Sequence, residues 1–402
     1  MTRWDQLIRT PDDDVRTGLR SGPGTSGSTG LEAGSPEPGR ILIDQDEPQG
    51  RRAHPTERLE ALFEAQCEWL VRFGCADRSA VDAPEGVLSY LELDDEANRL
   101  ARYLRLHHIG RGDRVALLLG GSADFCVAML AVAKVGAAYV PLDVRLDGDH
   151  VVAIIADAGA QLVLTTSTVA AGIPELDART ATTVVELDLA GRFIAEQSSR
   201  RLLDVERGVP GGPVAYIVYS FDTDGRPHGV AIDHSSVCNF VRVAAEVYGI
   251  VPGDRVFQGQ SPASDLVVEE TWVPWVAGAT VVAPPAGSNL QGEPLWRFLG
   301  ERCVTVLRSD AATLAALDER LLALRLVLSS ASCPPEVIRR WRRPGRRLIV
   351  TYGPPEATVT TTWTELGPGR PPSLGVPLPT YSVVVLDVED PRSALPRGAI
   401  GE

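Results

Sequence analysis

The sequence predicts an α/β protein in which parallel-type sheets are layered with helices, with a β-rich portion near the C-terminus. Three observations carry this. Short runs that are apolar throughout, such as Arg114 to Leu119 and Ala138 to Val140, recur along the chain. Strands without polar alternation belong to sheets covered on both faces. Segments with helical apolar spacing alternate with these runs, the signature of βαβ units. Later runs in the last hundred residues, Val359 to Thr364 and Tyr381 to Asp387, are of β type.

Taken in order, residues 1–54 are rich in Gly, Ser, Pro and Asp with few apolar anchors, and are expected to form a disordered tail. Within them Gly24 to Gly30 imitates a phosphate loop, but neither strand nor helix flanks it, so it reads as linker. The folded part is expected to span residues 55–402. Leu59 to Val71 has helical spacing. Val87 to Tyr90 reads as a short strand or turn, and Ser89 with Glu92 as a capping box for a helix carrying Leu93, Ala97, Leu100, Ala101 and Leu104 on one face. The predicted βαβ run is strand Arg114–Leu119, helix Ser122–Lys134, strand Ala138–Val140, helix Asp149–Ala158 and strand Gln161–Leu164. Beyond Val214 the predicted strands are Arg255–Gln258, Thr280–Ala283, Val304–Leu307, Leu324–Leu328 and Arg347–Thr351. The helices between them are Leu266–Trp275, Leu295–Arg302, Asp310–Leu317 and Pro335–Arg343.

Composition narrows the function. The net charge is −14, with 44% hydrophobic and 23% charged residues in a 402-residue chain. That argues against nucleic acid, which needs a basic face, and against an anionic membrane surface. With no spanning apolar run and no signal peptide at Met1-Thr-Arg-Trp-Asp, a cytoplasmic location is expected. Cys67, Cys75, Cys126, Cys238, Cys303 and Cys333 have no metal-site spacing and mostly fall in apolar runs, so they read as buried free thiols.

The stretch with chemistry in it is Val214 to Val230. An apolar run from Val214 to Tyr219 leads into Ser-Phe-Asp-Thr-Asp-Gly and then Arg226-Pro-His-Gly229. A short apolar run and an amphipathic helix from about His234 follow. A Gly- and hydroxyl-bearing loop between strand and helix can cradle a phosphate on its backbone N–H groups. This stretch resembles the phosphate loop of the adenylate-forming (AMP-dependent) ligases, in particular the adenylation domains of nonribosomal peptide synthetases, with the pattern Tyr-Thr-Ser-Gly-Thr-Thr-Gly-Arg-Pro-Lys-Gly-Val. Ala131 to Asp143 resembles a second, structural, motif of that family. Glu270 to Val281 and Trp341 to Arg347 look most like polylysine-synthetase-type members.

The resemblance, covering about Leu59 to Glu402, implies the large N-terminal part of an adenylation domain with two α/β layers. It implies ATP or AMP with Mg2+ as cofactors, an amino-acid substrate, and a carrier protein or synthetase partner. It places Ser220, Thr223, Gly225, His228, Gly229, Tyr352 and Gly353 on the nucleotide, Glu356 on the metal, and Asp265 on the substrate ammonium. Several positions depart from the pattern. Phe221 stands for a serine, Asp222 for a glycine, Asp224 for a threonine and His228 for the lysine. Two carboxylates there repel a triphosphate by roughly 4 kcal/mol each at about 4 Å and an effective dielectric near 20. Ser264 and Val267 depart from the substrate motif, Ser330-Ala331 replace a Gly-Glu pair, Val350 lacks the amide for adenine and Pro355 the hydroxyl for the α-phosphate. Asp265, directly before a helix, serves equally well as an N-cap or as a ligand. Arg339, Arg340, Arg342, Arg343, Arg346 and Arg347 read as a solvated helix end rather than a docking patch for an acidic carrier domain.

In the family the chain continues past Gly398–Glu402 into a ribose-binding aspartate and a small C-terminal subdomain with the catalytic lysine, neither of which the 402 residues hold. The sequence therefore reads as a truncated and degenerate adenylation domain. It is expected to be weak or inactive alone, or else a pseudoenzyme that docks a carrier or synthetase.

Overall fold

The structure is a computed structural model, and it describes residues 57–176, 182–207, 213–221, 224–330, 333–366, 373–390 and 393–396. The expected tail, the loop imitation at Gly24 to Gly30, and Asp222, Thr223 and Ala331 lie outside the described residues. In chain order the strands are β1 (Ser79–Ala83), β2 (Gly86–Ser89), β3 (Arg114–Leu118), β4 (Ala138–Leu142), β5 (Leu162–Thr165), β6 (Thr183–Glu186), β7 (Val214–Phe221) and β8 (Pro227–Asp233). There follow β9 (Arg255–Phe257), β10 (Thr280–Val282), β11 (Val306–Arg308), β12 (Leu326–Ser330), β13 (Arg347–Tyr352), β14 (Thr362–Glu365) and β15 (Val376–Pro377).

They make two sheets. One has the order β6-β5-β3-β4-β7-β8; the other runs β15-β14-β13-β12-β11-β9-β10-β1-β2. The interiors of both are parallel, as the apolar runs predict. Antiparallel strands close the ends: β8 on β7 in the first, and β2, β14 and β15 in the second. The β-rich C-terminal portion is thus a short antiparallel extension of the larger sheet. The run Tyr381 to Asp387, expected as a strand, supplies only an isolated bridge from Leu386 to Ala394.

The helix Leu266–Ala277 ties the sheets together. From Val267 onward every residue is buried, Glu269, Glu270 and Thr271 included, and a helix buried on all sides belongs in a core. Trp272 Nε1 donates to Tyr139 Oη of β4 at 3.3 Å, and Trp275 Nε1 to the Ala80 carbonyl of β1 at 3.2 Å. One helix therefore fixes the smaller sheet to the larger, and so fixes the C-terminal ends of their strands relative to each other.

The Ser89–Glu92 capping box forms with both arms, Glu92 N donating to Ser89 Oγ at 3.2 Å and Ser89 N to Glu92 Oε2 at 2.8 Å. The Ala131 to Asp143 motif is structural, as expected, but it is charged at its centre. Lys134 is 0% exposed and donates to Glu64 Oε1 at 2.5 Å and Asp94 Oδ1 at 2.7 Å. Arg207 adds to Glu64 and Arg201 to Asp94. The network knits three helices, Leu59–Arg72, Tyr90–Leu106 and Ala123–Lys134, to the 201–207 segment.

The arginine-rich stretch is only in part the expected solvated helix end: Arg339, Arg340 and Arg342 are exposed, but the stretch is also tied into its neighbours. Arg346 is buried, donates to the carbonyls of Leu324, Glu319 and Leu321, and lies over the Trp341 ring. Arg340 and Arg343 pair with Glu319, and Arg347 with Glu365. Four of the six arginines are thus tied into loops and neighbouring strands, because turn carbonyls left over at the sheet's edge need donors. All six cysteines are free, but the expectation of burial fails at Cys303, which is exposed, and Cys75, which is half-buried.

Candidate functional site

The Val214 to Val230 stretch is a β-hairpin, which corrects the strand–loop–helix expectation. Seven Cα pairs run from Val214↔Asp233 to Phe221↔Pro227, with Ser220 opposite His228 and Tyr219 opposite Gly229. The helix His234–Tyr248 starts only after β8, so its N-terminus lies a strand's length from the hairpin tip. A helix dipole therefore does not serve any phosphate held there. Gly225 takes φ +74° at the tip and has open space around it. Gly229 is required for a different reason: a Cβ there would lie 2.7–2.9 Å from the Tyr219 ring. That ring is pinned by Tyr219 Oη donating to Asp157 Oδ2 at 2.7 Å. Phe221 sets its ring edge-on to His150 with centroids 4.5 Å apart. The serine-to-phenylalanine departure thus gives the hairpin an apolar hold on the helix Gly148–Ala158. Ser220, Asp224, Gly225, Arg226 and His228 are all exposed.

The second part of the site comes from the end of β13. Tyr352 is 49% exposed. Gly353 is forced by packing, since a Cβ would meet the Val359 carbonyl at 2.3 Å and Thr361 at 2.7 Å. Glu356 is exposed in the 3₁₀ turn Pro355–Ala357, and this turn packs against β8. The fold therefore brings the hairpin and the Tyr352–Glu356 segment together, as the sequence motifs suggest. Val350 is different: it is 3% exposed inside the apolar cluster of Trp341, Leu348 and Val327. Its side chain belongs to the core, and that placement takes it out of the set of adenine contacts.

Asp265 is the third part. It precedes the helix Leu266–Ala277 without a full side-chain cap. Ser264 Oγ takes the Leu266 N–H at 3.2 Å and donates to Asp265 Oδ1 at 3.4 Å, and the Leu266 N–H also helps to hold the Asp265 carboxylate. Burial, with the Glu269 carboxylate adding to it, pushes the Asp265 carboxyl up to about 6. Tyr216 of β7, fully buried, lies close to Tyr139, Asp265 and Tyr381, and burial raises its hydroxyl well above the usual tyrosine range. Tyr381 in turn bonds to Asn239 and Thr358. Thr358 and Thr380 hold φ of +88° and +87°, a strained state for β-branched residues that clusters at functional sites.

A buried polar network beside Asp265 has no counterpart in the sequence reading. Arg308, at the end of β11, forms an ion pair with Glu269 Oε2 and donates from Nη2 to Thr351 Oγ1 at 2.7 Å. Glu269 Oε1 accepts from Tyr248 Oη and from Thr360 Oγ1 at 3.4 Å. Glu270, next along, is 1% exposed and accepts the Gln260 N–H at 2.9 Å, and burial pushes its carboxyl up to about 8. Against this network opens a cavity of about 230 Å³, at the C-terminal ends of β3, β4, β9 and β11. Ligands in open α/β sheets bind at such ends. Only the pairing of an acidic residue four positions past Asp265 with a distant arginine marks this network, and residues 39 apart in sequence give no local signal.

The sequence profile of the AMP-binding enzyme family matches residues 68–402. The chain belongs to that family. Among curated members of known name, the AMP-binding chain is 32% identical over 327 residues to the delta-poly-L-ornithine synthetase of Acinetobacter baumannii, covering 81% of this chain and 24% of that protein. It is 34% identical over 343 residues to phosphinothricin tripeptide synthetase PhsC of Streptomyces viridochromogenes, covering 81% and 29%. These relatives are several times longer than the matched stretch. Among solved structures, the nonribosomal peptide synthetase FmoA3 with α-methyl-L-serine-AMP bound aligns at a TM-score of 0.72 and 26% identity, over 85% of this chain and 38% of that one. VinN in complex with L-aspartate aligns at 0.72 over 88% of each chain, and at 22% identity it speaks for the fold alone. The fold is that of the N-terminal part of an adenylation domain, as the resemblance implies.

For an AMP-binding site the described residues offer an exposed ring in Tyr352, an open hairpin tip at Gly225, hydroxyl and imidazole donors in Ser220 and His228, and one hard oxygen donor in Glu356. Among the described residues no group of three or more His, Cys, Asp or Glu could hold a metal ion. Glu356 is an exposed carboxylate whose hard oxygens would suit a magnesium ion. No helix of the described residues is long and apolar enough to cross a membrane.

Proposed function

We propose that this AMP-binding chain is an amino-acid-adenylating domain of the nonribosomal peptide type with a weakened grip on ATP. In the reaction an amino-acid carboxylate oxygen attacks the α-phosphorus, the bond to pyrophosphate breaks, and the aminoacyl group then passes from AMP to a carrier thiol. The observation that carries the reading is Asp265: a partly buried carboxylate at the start of the helix Leu266–Ala277, close to Tyr216 on the strand that carries the hairpin. Such a group suits an α-ammonium. Ser220, Thr223, Gly225, His228 and Gly229 would border the phosphates, Tyr352 the adenine and Glu356 the magnesium, while Gly353 serves by letting the chain turn tightly.

The weakening comes from the tip. Phosphoryl chemistry depends on positive charge and oriented donors, and removing one such donor costs on the order of 3 kcal/mol. Here His228 stands where a lysine is expected, and Asp222 and Asp224 add negative charge. The same substitutions support a second reading, a non-catalytic module that docks a carrier protein or synthetase.

Thermal unfolding with millimolar Mg-ATP separates the two. A ligand at a hundred times its Kd adds about 2.7 kcal/mol of stability. The expected result is little or no shift for the natural chain and a clear shift after Asp222→Gly, Asp224→Thr and His228→Lys together. Equal shifts for both proteins would show the tip intact and refute the weakening. No shift for either would refute the nucleotide reading itself. A shift given by a substrate amino acid should be lost in Asp265→Asn and should fade below pH 6, where the Asp265 carboxylate is protonated.

A further inference from the structure

We propose that a second cavity is a binding site for an amphiphilic organic cation, a ligand with one ammonium group and an apolar body of about six carbons. This cavity is bounded by the helices Tyr90–Leu106, Ala123–Lys134 and Leu187–Ala195 and by the Glu85 to Leu88 end of the β1–β2 hairpin.

The cavity holds about 300 Å³. It shares no lining residue with the cavity at the strand ends: Gly120 and Gly121 border that one, Ala123 and Asp124 this one. Its walls are the half-buried apolar side chains of Leu88, Val127, Leu187 and Ile194, and Leu100, 2% exposed, forms the floor. A dry apolar cavity of about 150 Å³ suffices for benzene, so an alkyl chain has room here.

Gly191 shows that the room is left by the sequence. Leu187, Gly191 and Ile194 fall on one face of their helix, and all three border the cavity. Helix interiors disfavour glycine, and neither of the usual reasons for one applies. Gly191 has no positive φ, and a Cβ there would meet nothing within 4 Å. A larger residue would fill the space between Leu187 and Ile194. Only Ala190 of this nine-residue helix is buried, so the helix covers the cavity without filling it.

The rim is acidic. Glu85, Glu96 and Asp124 border the cavity, and no Lys, Arg or His does. Glu96 is answered by Arg99 at 2.9 Å. Glu85 and Asp124 are exposed, and no ion pair among the described residues uses either. Glu85 Oε1 accepts the Ala123 N–H at 3.3 Å, which brings it beside Asp124 at the head of the helix Ala123–Lys134. Partial burial, with the like charges of Glu85 and Asp188 adding to it, holds the Asp124 carboxyl above the usual aspartate range. Uncompensated carboxylates over an apolar cavity select their ligand. An ammonium relieves their repulsion, an anion adds to it, and an apolar body gains by leaving water.

The test is isothermal titration calorimetry of the full chain with n-hexylammonium chloride. 1-Hexanol, hexanoate and ethylammonium serve as its neutral, anionic and short-chain counterparts at equal ionic strength. n-Hexylammonium should bind at one site, and 1-hexanol about fivefold more weakly, since the exposed charge pairs are lost. Hexanoate and ethylammonium should not bind. Glu85→Gln/Asp124→Asn should bring n-hexylammonium down to the affinity of 1-hexanol. Gly191→Leu should abolish binding and, because leucine favours a helix over glycine, should melt no lower than the natural chain. Asp265→Asn should leave binding unchanged. The inference is overturned if n-hexylammonium does not bind, if 1-hexanol binds as tightly, or if binding survives Gly191→Leu. A lowered Tm of Gly191→Leu also overturns it, because the space is then taken, and so does loss of binding in Asp265→Asn, which puts the amine in the other cavity.

Discussion

Glutamine at position 270 should make the protein more stable, and more so as the pH rises. Glu270 is 1% exposed, and burial, opposed by the Gln260 N–H and the Arg308 charge, raises its carboxyl from 4.5 to about 8. Between those values the native state keeps a proton that the unfolded chain has released. More protons bound in the native state means that stability falls as pH rises, by up to about 1.4 kcal/mol per pH unit. The contribution is fully present below 4.5 and exhausted above 8. Glutamine keeps an oxygen for the Gln260 N–H and never ionises, so Glu270→Gln lacks this slope. Its advantage over the natural chain should be about 2 kcal/mol at pH 6 and about 5 kcal/mol at pH 8 and above. With an unfolding entropy of about 2.1 cal/mol/K per residue over roughly 300 residues, the gap in Tm opens by about 2 °C per pH unit. Scanning calorimetry of both proteins from pH 5.5 to 9 checks this. Two curves that stay parallel would mean the native carboxyl is ionised throughout, and the burial argument would be wrong.

Two further outcomes test how the scaffold holds the site. Lys134→Met leaves Glu64 and Asp94 with one arginine each, and breaking a buried pair costs about 3 kcal/mol at the lower end of its range, readable as a lower urea midpoint with an unchanged m-value; an unchanged midpoint would show that the network carries no net stability. Gly229→Ala drives a methyl into the Tyr219 ring, which cannot yield without leaving Asp157, so overpacking should cost about 1–3 kcal/mol in the same assay; a loss that persists equally in Tyr219→Ala would place the strain elsewhere.

The parallel interiors of both sheets were legible in the sequence because strands buried on both faces leave apolar runs, and the Ser89–Glu92 cap because its chemistry is local. What stayed hidden had a non-local cause. β1 reads Ser-Ala-Val-Asp-Ala, and Asp82 disguises it; the acid is tolerated because Arg255 and Arg302 meet it from the other end of the domain. β8 begins Pro-His-Gly, a sequence with little strand preference, and it pairs because β7 offers it an edge. The arginines after Ser332 looked solvated because the carbonyls they serve lie some twenty residues upstream. At the candidate site, the motifs point to Asp265, Tyr352 and Glu356, whereas Glu269 and Arg308 meet only through the third dimension.

The seven-pair ladder beneath the hairpin has a consequence for how this site can change over generations. The rungs from Val214 to Phe221, with Tyr219 and Phe221 gripping the adjacent helix, carry the architecture, and Ser220, His228 and Gly229 are themselves among the paired residues. Pairing is made by the backbone, so the exposed side chains of Ser220 and His228 can be exchanged without breaking a rung, whereas Gly229 cannot take a side chain. Binding chemistry at the first two positions can thus drift and return over generations on a frame that was never dismantled, while the third is held by the fold.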